Sequence, residues 1–313
     1  MTSRSTEATP IVVVGSPTAL GGHFGGMERT PSELRRLGIL DALRARPALA
    51  ETAFRDAGDA PNEPGWASDP DRRAKNRARI CAYLPRLAAH VASALQPADG
   101  ARILLLGGDC TSHAGALAGL RRVRPGARIA LAWFDAHGDF NTPDTTPSGN
   151  VWGMPFAMIC GRGEADLVAA CDGPTVREED AALLGGQVLD EMESRMLAGS
   201  RVAHFGPGML DGDAGLAALD GWARAVATRA DGVYVAFDLD AIDASEGLSL
   251  AMPEPAGMSL ATAVSALAVL ARATSATPLG MLGFGATAAM LRPDLDPAVT
   301  VRAIAALAEA ALG

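Results

Sequence analysis

Apolar positions along the chain fall into two rhythms. Six short aliphatic runs, Ile11–Gly15, Ile103–Gly108, Ile129–Asp135, Val202–Gly206, Val233–Asp238 and Leu279–Gly283, each end at once in Gly or Asp. Runs this short and continuous are the pattern of strands covered on both faces, as in a parallel sheet. Between them, Thr30–Leu43, Ala74–Leu95, Ser112–Arg122, Ser259–Ala273 and Pro297–Leu312 carry apolar residues at helical spacing, and Pro31 suits a first helical turn. The alternation predicts an α/β fold: a single domain, residues 1–313, with a mostly parallel sheet flanked by helices on both faces. Asp56–Asp71, rich in Pro, Gly and Asp, reads as a surface loop, and the polar residues 1–9 as a flexible N-terminus rather than a signal peptide.

Composition sets the surroundings of this fold. A net charge of −9, from 36 acidic and 27 basic residues, argues against nucleic acid or an anionic membrane as partner. No apolar run approaches the ~18 residues of a membrane span. Cys81, Cys110, Cys160 and Cys171 show no CxxC spacing and are too few for a disulfide framework, so a reduced, cytoplasmic protein is expected. Gly21–Gly26 is glycine-rich after a strand but lacks the Lys-Ser/Thr of a phosphate loop and the dinucleotide spacing, and Gly-x-Ser-x-Gly is missing. His23 in that loop reads as a residue of a site mouth or as an ordinary polar residue.

The chemistry sits directly after the runs. In a parallel α/β fold, ligands bind beyond the carboxyl ends of the strands. Asp135, His137 and Asp139 follow Ile129–Phe134 at a spacing of two, which puts their side chains on one face of an extended segment. Asp238 and Asp240 repeat the spacing after another run. Carboxylates converging on one edge repel one another unless cations lie between them, and carboxylates plus imidazole suit a pair of divalent ions. The alternative is an acidic loop facing water, since Asp is common in turns.

Gly107-Gly108-Asp109-Cys110, Asp135-Ala136-His137-Gly138-Asp139-Phe140-Asn141 and Phe237-Asp238-Leu239-Asp240-Ala241-Ile242-Asp243 resemble the three signature segments of the arginase (ureohydrolase) family. Gly26–Pro31, Thr142–Asn150 and Met252–Gly257 resemble its N-terminal motif, substrate loop and late turn, so the resemblance covers nearly the whole chain. Within the family the chain resembles the Nω-hydroxy-L-arginine amidinohydrolases of antibiotic pathways. The resemblance implies two manganese ions bridged by hydroxide, and homo-oligomers, trimers or larger rings such as hexamers. Carried over by position, the first metal takes Cys110, Asp135, Asp139 and Asp238, and the second Asp135, His137, Asp238 and Asp240. Asp139 accepts the proton of the hydroxide and passes it to the leaving amine. Asn141, Thr146, Ser148 and Asn150 match positions that bind a substrate α-carboxylate, and Asp211 one that binds an α-ammonium.

Three departures change the expectation. Cys110 stands in place of a histidine ligand, and a softer, charged thiolate favours zinc or iron over manganese. Trp152 stands in place of a proton-shuttling histidine; indole accepts no proton but can wall the pocket or stack on a planar guanidino group. Gly285 falls where a carboxylate normally grips the guanidinium, and Glu254 is not a ready replacement. His113 reads as an outer partner of the metals or as a simple helix N-terminal residue. A less basic N-hydroxyguanidine then suits the pocket, and the expected reaction is Nω-hydroxy-L-arginine to L-ornithine and hydroxyurea. The alternatives are a slow conventional arginase, a catalytically silent subunit, and hydrolysis of another linear C–N substrate.

Overall fold

The six runs enter one all-parallel sheet of eight strands: β1 (Ile11–Ser16), β2 (Phe54–Asp59), β3 (Arg102–Gly107), β4 (Ile129–Asp135), β5 (Val176–Gly185), β6 (Ala203–Phe205), β7 (Gly232–Asp238) and β8 (Gly280–Thr287). Their order is β2-β1-β3-β8-β7-β4-β5-β6. The computed structural model describes residues 9–61, 65–96 and 100–313, so the expectation for residues 1–9 falls, Thr9 apart, outside the described residues. No helix among the described residues is long and apolar enough to cross a membrane.

The continuous apolar runs have the predicted cause. Every residue of β1, β4 and β7 is buried. Alternate side chains enter two separate cores: Val13, Leu104, Phe134, Val235 and Phe237 on one face, Val14, Leu105, Trp133 and Ala236 on the other. Helices Ile39–Arg44, Asp213–Ala227, Leu260–Thr274 and Pro297–Leu312 cover the first face; Arg77–Leu95, Thr111–Val123 and Pro155–Ile159 cover the second. Period-two alternation is thus present without polar residues, because neither face meets water.

Two readings need correction, and one strand is not legible in the sequence. The start of Asp56–Asp71 is not loop: Asp56–Asp59 belongs to β2, an edge strand paired only with β1, where exposed charged side chains are tolerated. The stretch Thr30–Leu43 is two helices, Thr30–Arg36 and Ile39–Arg44, parted at Gly38, whose φ of 82° suits glycine. Strand β5 went unread because Arg-Glu-Glu-Asp interrupts its apolar pattern; its Asp180 is buried against Arg128 and Arg229.

Candidate metal centre

Neighbouring strands bring the acidic segments together. Phe134 of β4 pairs with Phe237 of β7, so Asp135 and Asp238 end adjacent strands at the same level. Cys110 follows β3 at the start of the helix Thr111–Val123. Among the described residues two groups of ligand atoms lie within 4.8 Å of one another: Cys110, Asp135 and Asp238, and Asp135, His137 and Asp240. Asp135 is common to both.

Hydrogen bonds hold these carboxylates. The Trp133 indole N–H donates to Asp135 Oδ2 (2.9 Å) and the His137 amide to Asp135 Oδ1 (2.7 Å). The Ala136 amide donates to Asp240 Oδ1 (3.0 Å), and the Asp240 amide to Asp238 Oδ1 (3.0 Å). Cys110 Sγ is 2.8 Å from Asp238 Oδ2. His137 Nδ1 lies 3.2 Å from Asp240 Oδ2 and 3.4 Å from Asp135 Oδ1. Asp139 adopts a left-handed φ of 49°, with its carbonyl capped by the Phe156 and Ala157 amides. Its Oδ2 is buried with no hydrogen-bond partner.

Electrostatics show what the cluster can hold. Burial, then the Asp240 charge, pushes Asp135 up to about 6. Burial and neighbouring carboxylates push Asp139 and Asp238 well above the carboxylate range and the Cys110 thiol well above the thiol range. The His137 imidazolium is strongly favoured: its two carboxylate partners outweigh the cost of burial. Burial and mutual repulsion thus favour the protonated forms of Cys110, Asp139 and Asp238. An orphaned buried oxygen, a thiol and crowded carboxylates fit divalent cations, which replace the protons and offset the repulsion.

The cluster floors a cavity of about 430 Å³, where Cys110, His137, Asp139, Asp238 and Asp240 are exposed to its interior. Asn141, Thr146, Ser148, Asn150, Trp152, Asp190 and Glu193 line it as well. Lys75 Nζ donates to Asn150 Oδ1 (2.9 Å), and Asn141 Nδ2 to Asp190 Oδ2 (2.7 Å). His23 lines the mouth, edge-on to the Trp152 ring at 5.1 Å. Burial, then Lys75, lowers its pKa.

Asp211 stands apart from these residues. It is exposed in the loop after β6, where its Oδ1 accepts from the Thr262 hydroxyl (3.1 Å), and it does not line the cavity. The physical reason is strand order: β6 is the sheet edge, and β5 lies between it and β4. The loop after β5 reaches the cavity instead, bringing Asp190 and Glu193, neither of which was anticipated. Their signal is Asp190-x-x-Glu193 at a helix start, where Asp190 caps the Glu193 amide (2.9 Å). Glu193 Oε1 accepts from the Phe140 amide (3.0 Å), and burial pushes Glu193 up to about 7. Gly138 allows this approach, since a Cβ there would fall 2.5 Å from Glu193 Cδ. Glu254 Oε1 is 3.7 Å from His137 Nε2 and outside the cavity lining.

Comparison with known proteins agrees with this geometry. The model of the arginase family matches residues 9–313. The arginase of Bacillus caldovelox is 30% identical over 272 residues, 84% of this chain and 87% of its own. Its native crystal structure superposes with a TM-score of 0.82 at 27% identity, covering 97% of this chain and 98% of that one. Proclavaminate amidino hydrolase from Streptomyces clavuligerus shares the fold, with a TM-score of 0.68 at 19% identity over 98% of this chain and 91% of that one. A match along the described strands and helices, together with ligand groups gathered at the ends of β3, β4 and β7, places the chain in the arginase family, hydrolases that act on amidino carbon–nitrogen bonds.

Proposed function

We propose that the cavity hydrolyses the guanidino C–N bond of an arginine-like amino acid, with Nω-hydroxy-L-arginine preferred and L-ornithine and hydroxyurea released. The observation that carries this reading is the asymmetry of the cavity. Its lining offers the amides and hydroxyls of Asn141, Thr146, Ser148 and Asn150 for a carboxylate, and Asp190 for an ammonium. Beside the end of β8 its lining is apolar, Ala288 with Ala251 and Met252, and carries no carboxylate; Gly285, expected at the guanidinium, lies off the cavity against Tyr234 and His113. Against that apolar stretch a full guanidinium would be desolvated without a partner, whereas a less basic N-hydroxyguanidine enters neutral.

The proposed ligands are Cys110, Asp135, Asp139 and Asp238 for one cation, and Asp135, His137, Asp238 and Asp240 for the other. When bound, two divalent cations, manganese by family resemblance or zinc or iron given Cys110, lower the pKa of water so that hydroxide is available near neutral pH. Asp139 takes the proton of the attacking water and hands it to the departing amine. Trp152 walls the guanidino carbon and leaves water or Asp139 to carry protons. The same reading describes a cytoplasmic homo-oligomer, a trimer or hexamer.

A slower L-arginine hydrolase is the second reading, favoured by the relative in Bacillus caldovelox bearing the name arginase. The test is kcat/KM for both substrates on one metal-loaded sample, with products identified by mass spectrometry. A preference for Nω-hydroxy-L-arginine of at least about tenfold is expected. A preference for L-arginine, with Trp152→His raising its rate further, transfers the assignment to the second reading.

A further inference from the structure

Behind the cavity floor lies a line of buried polar side chains that the proposed reaction does not use. His113, Tyr234 and Thr287 are each 0% exposed. His113 Nδ1 is 3.1 Å from the Tyr234 hydroxyl, and Nε2 is 3.1 Å from Thr287 Oγ1. Thr287 Oγ1 is in turn 3.5 Å from Asp238 Oδ2 and 3.5 Å from the Phe237 carbonyl. The line needs room, and β8 provides it at Gly285. A Cβ there would fall 2.4 Å from the Tyr234 oxygen and 2.8 Å from His113 Cε1.

The protons of this line can be placed by satisfaction alone, because an unpaired buried donor is costly. Among the described residues, the one hydrogen-bond partner of the Tyr234 hydroxyl is His113 Nδ1, so the hydroxyl donates there and Nδ1 accepts. A neutral imidazole then carries its single N–H on Nε2, which donates to Thr287 Oγ1. The ring is fully buried between two hydroxyls, with no carboxylate among the described residues bonded to it, and is therefore neutral. Thr287 is left with its own proton to donate to Asp238 Oδ2, shared with the Phe237 carbonyl. Direction is imposed from the tyrosine inward.

We infer that His113 and Thr287 are positioning residues that aim the Asp238 carboxylate at the metal centre, through the one-way chain Tyr234 to His113 to Thr287 to Asp238. Gly285 is what makes the chain possible. The inference rests on the metal-centre reading, and its test separates the two. Calorimetric Mn²⁺ titration of the full chain should show binding weakened about 10–100-fold in Thr287→Val, beside a lower melting temperature of the metal-free protein because the His113 Nε2–H loses its acceptor. Thr287→Ser, which keeps the hydroxyl, should restore affinity to within about threefold of the parent. Equal affinity in Thr287→Val and the parent overturns the inference; no binding of Mn²⁺ or Zn²⁺ by the parent overturns the metal centre itself. Should Thr287→Val fail to fold, ¹⁵N NMR of the metal-free parent decides, with the His113 signals assigned by their loss in His113→Gln. The Nε2–H tautomer is expected, and the Nδ1–H tautomer overturns the chain.

Discussion

Asp139 and Cys110 are the side chains whose chemistry is most exposed to test. Asp139 has a buried oxygen with no partner and a left-handed backbone. Asparagine tolerates that backbone and keeps the volume while losing the charge. Asp139→Asn should therefore fold normally and lose about 10²–10⁴ in kcat, measured by steady-state kinetics beside a melting curve. Cys110 brings a thiol 2.8 Å from Asp238. Replacing it by histidine exchanges a soft anionic donor for a neutral nitrogen, so Cys110→His should lower the ratio of zinc to manganese affinity about tenfold or more, read by competitive titration.

Elements act here by holding loops in place. The turn carrying Cys110 packs on the loop after β1: a Cβ on Gly108 would fall 1.9 Å from the Thr18 carbonyl oxygen. Backbone does not yield as a side-chain tip does, so Gly108→Ala should cost about 1–3 kcal/mol in urea unfolding and lower metal content. The C-terminal helix Pro297–Leu312 shows the opposite case, a local device far from the site. Asp296 caps it by accepting from the Ala298 amide (2.9 Å), with Pro297 in the first turn. Asp296→Ala should cost about 1 kcal/mol and leave kcat untouched.

For the whole molecule, the buried acids link folding, pH and metal. In the metal-free protein Asp135 titrates at about 6 and Glu193 at about 7, both raised chiefly by burial. The folded chain thus holds protons that the unfolded chain releases near pH 4 to 4.5. Raised carboxyl pKa values mean that stability is fullest below the unfolded values and declines as pH rises through the folded ones. His137, held protonated by its two carboxylates, adds to the decline above about pH 6.5. Metal binding displaces these protons, so its contribution runs the other way. Melting temperatures at pH 5.5 and 7.5, with and without Mn²⁺, should show the metal-free protein less stable at 7.5. At one fixed Mn²⁺ concentration the metal-induced stabilisation should be larger at pH 7.5, on the order of 3 kcal/mol where that concentration is a hundredfold excess over Kd.

Much of this could be read from residue order. Strands buried on both faces must be continuously apolar, and polar ligands must wait for the carboxyl end, so Ile129–Asp135 and Val233–Asp238 announced both an element and the site beyond it. Strand β2 escaped notice because its exposed edge carries charges that break the apolar pattern, as residues 177–180 do in β5. Asp211 was misplaced and Asp190 with Glu193 overlooked for a different reason. Which loops reach one cavity depends on the lateral order of strands, and β5 rather than β6 adjoins β4. The Tyr234–His113–Thr287 line is equally non-local, joining β7, a helix after β3 and β8 through the missing side chain of Gly285. Local pattern therefore settled the layers and the acidic donors, since burial acts on each segment separately. Convergence, proton direction and the place of Asp190 and Glu193 in the cavity lining arose from packing between segments far apart in the chain, where no short-range signal records the neighbour.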